Sequence, residues 1–116
     1  MTFWMKQNDT APILQVQLVE DDGVTPVSIT TAVQVVFNMR TVAGVVLVNR
    51  GICTIVNAAT GIVEYPWAVG DTAVNSGPVA DGLAHDGEFE VVYSTGRRRT
   101  FPSDSYIDIV VTDDIA

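Results

Sequence analysis

The sequence predicts an all-β fold, specifically an immunoglobulin-like β-sandwich of about seven or eight strands. Three observations support this prediction. Apolar and polar residues alternate with a period of two, turn signals recur at intervals of roughly 8–12 residues, and we find no confident helix with an apolar stripe. A chain of 116 residues has the usual size of one folding unit. We therefore assign residues 1–116 to a single β-sandwich domain.

The predicted strands fall into two groups. In the first group, strict alternation marks strands with one face on a core and the other in water, and its segments are residues 14–18, 33–40, 89–93 and 107–112. The second group is shorter, and its segments are residues 45–48, 52–56, 62–65 and 97–101. Turns that contain glycine or proline separate the strands, and the clearest lie at residues 22–23, 43–44, 58–61, 94–96 and 102–105.

The segment from Gly70 to Gly87 does not fit this pattern. It is long, rich in small and polar residues, and contains four of the nine glycines. Loops of this length in compact domains are usually functional or mobile. We therefore predict one long loop at about residues 70–87.

Charge and composition exclude several functional classes. The net charge is −8, so the chain lacks the basic footprint that nucleic-acid binding by general electrostatics requires. The apolar runs are far shorter than a membrane span, and the N-terminal residues lack the apolar core of a secretory signal. We expect a soluble acidic protein made inside a cell, with neither nucleic acid nor a membrane as its partner.

Nucleophilic catalysis has one candidate pair, the only cysteine and the only histidine. Cys53 lies in an apolar strand segment, and His85 lies in the predicted loop. A Cys–His pair requires both groups within hydrogen-bond reach, and no spacing here enforces that. A buried structural cysteine is the favoured interpretation, and a small hydrolase is the alternative. A single cysteine excludes an intrachain disulfide and nearly excludes a cysteine-based zinc site.

Acidic residues supply two further candidate sites. Asp81, Asp86 and Glu88 are candidate oxygen ligands for calcium, but their spacing does not match an EF-hand loop, so a solvated acidic loop is favoured. Glu64, Asp71 and Glu90 are candidate glycosidase carboxylates, which would need a fixed separation across a cleft. Nothing in the sequence indicates such a cleft, so we expect no enzyme activity, no cofactor and no metal ion.

Three consecutive arginines are the sharpest electrostatic feature of the chain. Arg97, Arg98 and Arg99 account for half of the six basic residues. One hypothesis is a contact with an acidic neighbour, such as another copy of the chain. The other is an edge strand that its charges protect from aggregation. Both hypotheses stay open, and the three residues are candidate interface residues.

Two tryptophans complete the candidate interface. Trp67 follows a tyrosine and a proline at a strand end, where core packing is the favoured interpretation. Trp4 belongs to the N-terminal Phe3-Trp4-Met5 segment, for which we expect either an added strand of the sheet or a contact with a neighbour.

Several segments, taken in order, resemble a phage protein family. They are residues 6–12 before the first long strand, 31–33 with 37–40, 57–61 with 63–67, 70–72, 88–91, and 98–102 with 106–107. Together they resemble the N-terminal domain of phage baseplate upper proteins and similar small phage tail proteins, over about residues 5–113. The resemblance implies an immunoglobulin-like sandwich that serves as a virion building block, without catalysis. It carries over no functional residue.

The resemblance leads us to expect a phage virion structural protein, assembled in the host cytoplasm. Its expected partners are other virion structural proteins and copies of itself. A tail or baseplate position is the first hypothesis. The matching region ends where a baseplate upper protein continues into a part that carries its partners, so capsid decoration on the head is the alternative. A carbohydrate-binding module, or a weak contact with host-surface glycans, is a further alternative, with Trp4, Trp67 and Tyr106 as its aromatic candidates.

Overall fold

The computed structural model describes residues 2–74 and 84–113, which form nine β-strands and no helix. The all-β prediction is confirmed, and the strands form two sheets. Within the described ranges there is no helix that could cross a membrane. In chain order the strands are β1 (Thr2–Lys6), β2 (Leu14–Gln17), β3 (Ala32–Arg40), β4 (Val46–Ile52), β5 (Thr54–Asn57), β6 (Ile62–Tyr65), β7 (His85–Tyr93), β8 (Arg98–Phe101) and β9 (Ile107–Thr112).

The larger sheet has six strands and is built around β7. Its order is β1-β9-β7-β3-β4, with β8 also paired to β7. One edge of β7 pairs with β3 along most of its length, whereas β9 and β8 share the other edge. β1 pairs with β9 in parallel, from Thr2 beside Asp108 to Lys6 beside Thr112. Among the described residues, β1, β4 and β8 therefore each have one edge without a strand partner.

The smaller sheet has three antiparallel strands in the order β2-β6-β5. β4 ends at Ile52 and β5 begins at Thr54, so one segment supplies an outer strand to each sheet. Cys53 lies at this crossing, and its N–H donates to the carbonyl oxygen of Val35 in β3 at 3.0 Å. The continuous segment of residues 46–57 thus forms the same side of both sheets.

Aromatic residues from both sheets meet in the core. The Phe37 ring lies 5.1 Å from the Phe89 ring within the larger sheet and 5.0 Å from the Tyr65 ring of the smaller sheet. Trp67 meets both Phe37 and Tyr65 edge-on, at 5.7 and 5.3 Å between ring centroids. This edge-to-face geometry is the one that aromatic quadrupoles favour. The packing fits the predicted alternation, because β3 and β7 turn every second residue inward.

The turn between β5 and β6 requires glycine at position 61. Gly61 has a φ of +72°, and a Cβ there would lie 2.4 Å from the carbonyl oxygen of Val27. The Gly61 carbonyl accepts the N–H of Leu18, and the Leu18 carbonyl accepts the N–H of Val27, at 2.8 and 2.9 Å. Three backbone segments therefore meet where any side chain would separate them.

The predicted loop at about residues 70–87 extends too far at its C-terminal end. His85, Asp86 and Gly87 are the first residues of β7. All three pair with β9, and Asp86 and Gly87 also pair with β3. The sequence before Glu88 contains two glycines, Gly82 and Gly87, and few apolar residues, so its pattern does not indicate a strand. A Cβ at Gly87 would nevertheless lie only 3.1 Å from Phe37 and Ile109 side-chain atoms. The glycine thus serves close packing. The part of the predicted loop at residues 75–83 lies outside the described residues.

Candidate interaction surface

The outer face of the larger sheet carries a shallow groove, which we call the β7 groove. It measures about 390 Å³ and lies between β4 on one side and Tyr106 on the other. Its floor comes from the outward-facing residues of β3 and β7, since their inward-facing neighbours are buried. The side chains that matter below are Asn38, Arg40, Val46, Arg50, Glu88 and Tyr106.

A β-bulge places Arg50 over the groove. The register between β3 and β4 shifts between Phe37 and Met39, and Arg50 has a φ of +54°, unusual for a residue with a side chain. The Asn38 side-chain oxygen accepts the Arg50 N–H at 2.8 Å, and Arg50 Nη1 binds Glu90 Oε1 at 2.9 Å. The bulge therefore fixes both the backbone and the guanidinium of Arg50.

At the other side of the groove, Arg40 is held over Tyr106. Its Nη2 donates to the Tyr106 hydroxyl at 2.9 Å, and its guanidinium carbon lies 5.0 Å from the centroid of that ring. Its Nε lies 3.5 Å from a carboxylate oxygen of Asp86 on the neighbouring strand. One guanidinium thus ties β3, β7 and the segment before β9 together on this face.

Glu88 lies in the floor between these two arginines. It is the cross-strand partner of Asn38 and is partly buried. Within the described part of the chain, the Glu88 carboxylate makes no ion pair and no hydrogen bond, although Asp86 and Glu90 on the same strand are both paired. To the described part of the chain, the groove therefore presents one carboxylate whose acceptor positions are open.

The three consecutive arginines have three different environments. Arg99 binds Glu20 through two nitrogens, at 2.7 and 3.3 Å, and its guanidinium lies 4.5 Å from the Phe101 ring centroid. Arg98 is more exposed and binds Glu90 at 3.3 Å. Arg97 lies at the β7–β8 hairpin and makes no ion pair among the described residues. Of the three guanidiniums, the one on Arg97 is the most available to a partner.

The two candidate tryptophans separate into one core residue and one surface residue. Trp67 is 6% exposed and lies in the aromatic core, as the favoured interpretation of core packing predicted, so as folded it offers little surface to a partner. Trp4 is 54% exposed on β1, between the inward-facing Phe3 and Met5. The Phe3-Trp4-Met5 segment does add a strand to the sheet, as one of the two expectations had it.

Cys53 and His85 do not form a catalytic pair. The Cys53 N–H donates to the Val35 carbonyl oxygen, and Val35 is the cross-strand partner of Val91. Cys53 therefore lies beside Val91, whereas His85 is six residues away from Val91 along β7, a distance of about 20 Å. Burial raises the pKa of the Cys53 thiol to about 12, which disfavours the nucleophilic thiolate. His85 is 2% exposed, with Nε2 at 2.7 Å from the Val74 carbonyl oxygen.

The candidate calcium ligands do not form a metal site within the described residues, in which no group of three His, Cys, Asp or Glu side chains is suitable for an ion. Asp86 is paired with Arg40 instead. Glu88 points into the β7 groove, and Asp81 lies outside the described residues.

The three candidate glycosidase carboxylates are also dispersed. Glu64 faces outward on β6 of the smaller sheet and accepts a hydrogen bond from Gln15 at 3.3 Å. Glu90 faces outward on β7 of the larger sheet, on the opposite side of the core. Asp71 accepts hydrogen bonds from the Tyr65 hydroxyl and the Ala68 N–H, at 2.5 and 2.8 Å. These positions do not form the facing pair that glycoside hydrolysis requires.

Large apolar side chains are exposed along the side of the molecule formed by β4 and β5. We call this set the apolar edge, and the exposed fraction of its members ranges from 48% to 63%. Among the described residues, β4 and β5 are outer strands of the two sheets, and Cys53 separates them along the chain. The apolar edge consists of Val42 and Val45 in the β3–β4 turn, Val46 and Ile52 in β4, and Val56 in β5.

Sequence patterns alone did not identify the β7 groove or the apolar edge. Except for Val42, the apolar residues of the edge lie in segments predicted as ordinary strands, and nothing in the sequence shows that these strands are outermost. At the bulge the positive φ falls on Arg50 and not on the neighbouring Gly51, so the glycine gives no indication of it. The chain matches no family model, no curated protein and no solved structure in comparisons with known proteins. The family resemblance and the immunoglobulin-like topology therefore stay hypotheses.

Proposed function

We propose that this protein is a structural component of a phage particle, which acts by binding neighbouring proteins and has no enzymatic role. Its place is the tail or baseplate, with decoration of the head surface as the alternative. Its partners are other particle proteins and copies of itself. The ordered resemblance of the sequence segments to baseplate upper proteins supports the phage context, and the surface supports assembly as the mode of action.

The apolar edge is the observation that carries the proposal. Outer strands that carry exposed apolar side chains commonly mark protein–protein contact sites, because burying such strands in a partner is favourable. Here Val46, Ile52 and Val56 are exposed on outer strands of both sheets. A net charge of −8 keeps such a surface soluble before assembly, since like-charged copies repel at long range.

The charge also bears on the choice of neighbour. Four of the six basic side chains, those of Arg40, Arg50, Arg98 and Arg99, are engaged in ion pairs within the chain. The remaining surface is therefore strongly acidic. A neighbour with a basic rim around an apolar centre would complement it, and association with such a neighbour would be faster at low salt.

Immunogold labelling of purified particles, with antibody to this chain, tests the proposal. Label at the tail tip supports the tail or baseplate position, and label spread over the head supports decoration. Absence of label from particles that carry the gene, with the chain found only in the soluble fraction of the lysate, contradicts the proposal.

A matched pair of double variants tests the role of the apolar edge. The variant Ile52→Lys with Val56→Lys places two charges on the edge, whereas Val24→Lys with Val69→Lys places the same two charges on exposed valines elsewhere. We expect only the first variant to be lost from particles, while both fold with similar thermal midpoints. Equal incorporation of the two variants would contradict the assignment of the edge.

A further inference from the structure

We propose that the β7 groove is a binding site for a neutral carbohydrate, specifically for a pyranose ring of an oligosaccharide. The inference rests on the groove alone and is independent of the proposed role in a particle. Four properties of the groove support it: open hydrogen-bonding groups of both kinds, balanced charge, fixed geometry and adjacent apolar surface.

The groove contains both open acceptors and open donors. The Glu88 carboxylate has no hydrogen bond or ion pair within the described part of the chain, and the same holds for the Asn49 side chain. The Asn38 side-chain oxygen accepts the Arg50 N–H, and the Asn38 amide N–H groups have no acceptor within the described residues. Each sugar hydroxyl both donates and accepts a hydrogen bond, and paired groups of this kind satisfy both requirements.

The charges of the groove are balanced by contacts within the chain. Arg40 pairs with Asp86, and both Arg50 and Arg98 pair with Glu90. Arg98 does not line the groove but reaches Glu90 from outside it, so three guanidiniums offset the three carboxylates of Asp86, Glu88 and Glu90. An anionic ligand would approach the carboxylates, and a cationic one would approach two flanking guanidiniums. A polar ligand without charge avoids both costs.

The polar groups are held in place before any ligand arrives. The bulge fixes Arg50 through Asn38 and Glu90, and Arg40 is fixed through Tyr106 and Asp86. Strained backbone positions such as that of Arg50 cluster at binding sites, where the surrounding contacts maintain them. Prior fixation of this kind lowers the entropy that binding must remove.

Apolar surface borders the polar floor. Val46 is 61% exposed, and Tyr106 is 43% exposed, with its ring beside the Arg40 guanidinium. The C–H groups of a pyranose ring can pack against this surface while its hydroxyls meet the floor. The groove volume of about 390 Å³ lies at the lower end of the range for small-molecule sites, which suits one ring with its neighbours in solvent.

The test is a titration of the uniformly ¹⁵N-labelled full chain, followed by amide NMR. The probes are maltotriose, mannotriose, triacetylchitotriose and rhamnose, each taken to about 20 mM, a concentration that detects millimolar affinity. We expect saturable shifts from at least one probe, centred on Asn38, Arg50 and Glu88. Shifts from none of the four, or shifts confined to residues outside the groove, would overturn the proposal.

Variants separate sugar binding from simple charge attraction. Glu88→Ala and Tyr106→Ala should each weaken binding about tenfold or more, as expected for loss of a charged acceptor or of the packing ring. Glu88→Gln keeps the size and an acceptor, so it should retain measurable binding. Glu64→Ala, on the smaller sheet, is the control and should leave the affinity unchanged, and thermal melting verifies that every variant folds.

A lysine-rich peptide is the decisive competitor. If the groove instead receives a basic side chain of a partner protein, this peptide will shift the Glu88 amide at low salt, Glu88→Gln will abolish the effect, and the sugars will produce no shift. That result would overturn the carbohydrate proposal while leaving the role in a particle intact. Failed incorporation into particles, conversely, would not affect the sugar titration.

Discussion

The guanidinium of Arg99 holds the carboxylate of Glu20 with two hydrogen bonds, at 2.7 and 3.3 Å, and so joins the two sheets. Arg99 belongs to β8 of the larger sheet, whereas Glu20 follows β2 of the smaller sheet. The Phe101 ring supports the guanidinium from one face. The contact lies on the side of the molecule away from the continuous β4–β5 segment.

Loss of this contact should destabilise the fold measurably. Arg99→Met keeps much of the side-chain length but removes both hydrogen bonds and the cation–π contact, so we expect a loss of about 1–2 kcal/mol in the free energy of unfolding. Arg97→Met removes the same charge from a side chain that has no ion-pair partner among the described residues. It should therefore change the free energy of unfolding by less than about 0.5 kcal/mol. Urea denaturation measures both, and equal effects would contradict the assignment.

Two glycine substitutions separate backbone strain from steric exclusion. Gly61→Ala places a methyl group 2.4 Å from the Val27 carbonyl oxygen at a φ of +72°, and should cost about 3 kcal/mol or more. Gly96→Ala has a similar φ of +84° but no heavy atom within 4 Å of the new Cβ, and should cost only about 1–2 kcal/mol. Thermal or urea unfolding gives the comparison. A Gly61→Ala cost no larger than that of Gly96→Ala would show that the crowding is absent.

The thiol of Cys53 should be almost inert in the folded protein. Its pKa is raised by burial from 9.0 to about 12, so the thiolate fraction at pH 8 is about a thousandfold smaller than for an unperturbed thiol. We expect iodoacetamide to label the folded chain slowly and the urea-unfolded chain rapidly. Mass spectrometry follows the reaction. Fast labelling without urea would contradict this assignment.

The same pKa shift makes the fold less stable in alkaline solution. The unfolded thiol ionises near pH 9.0 and the folded thiol only near 12, so the unfolded state is favoured as pH rises through this window. Burial and a hydrogen bond to Asp71 raise the pKa of Tyr65 as well, which acts in the same direction above pH 10. The thermal midpoint of Cys53→Ala should therefore fall less between pH 7 and pH 10.5 than that of the natural chain. An equal fall would count against the shift.

A soluble quencher should reduce the fluorescence of Trp4 much more than that of Trp67. Trp4 is exposed and Trp67 is buried, so Trp4→Phe should shift the emission maximum to shorter wavelength and reduce acrylamide quenching severalfold. The substitution lies on the outer face of β1 and should leave stability within about 0.5 kcal/mol. Unchanged quenching would mean that Trp4 is covered in solution.

The strands were predictable from the sequence wherever one face is buried and the other is in water. The alternation of residues 33–40 and 89–93 reflects the burial of Phe37 and Phe89, and both segments form strands. The start of β7 was missed because Gly87 is small for packing reasons that appear only beside Phe37. Local periodicity carries no information about the pairing partner of a strand.

The surfaces were less predictable, because their contacts join distant parts of the chain. Arg50 and Glu90 are 40 residues apart, and Arg99 and Glu20 are 79 apart. Consecutive position suggested that Arg97, Arg98 and Arg99 act together, yet each has its own environment in the fold. The exposed edge likewise depends on strand order, which the antiparallel and parallel pairings determine.

The parallel pairing of β1 with β9 has a mechanical consequence. Because the two strands run in the same direction, Thr2 and Thr112 lie at opposite ends of one ladder. Tension applied between these residues is therefore directed along the strands and shears the ladder, so that its evenly spaced hydrogen bonds are loaded together and not opened one after another. A domain connected in this way resists extension until the whole ladder yields.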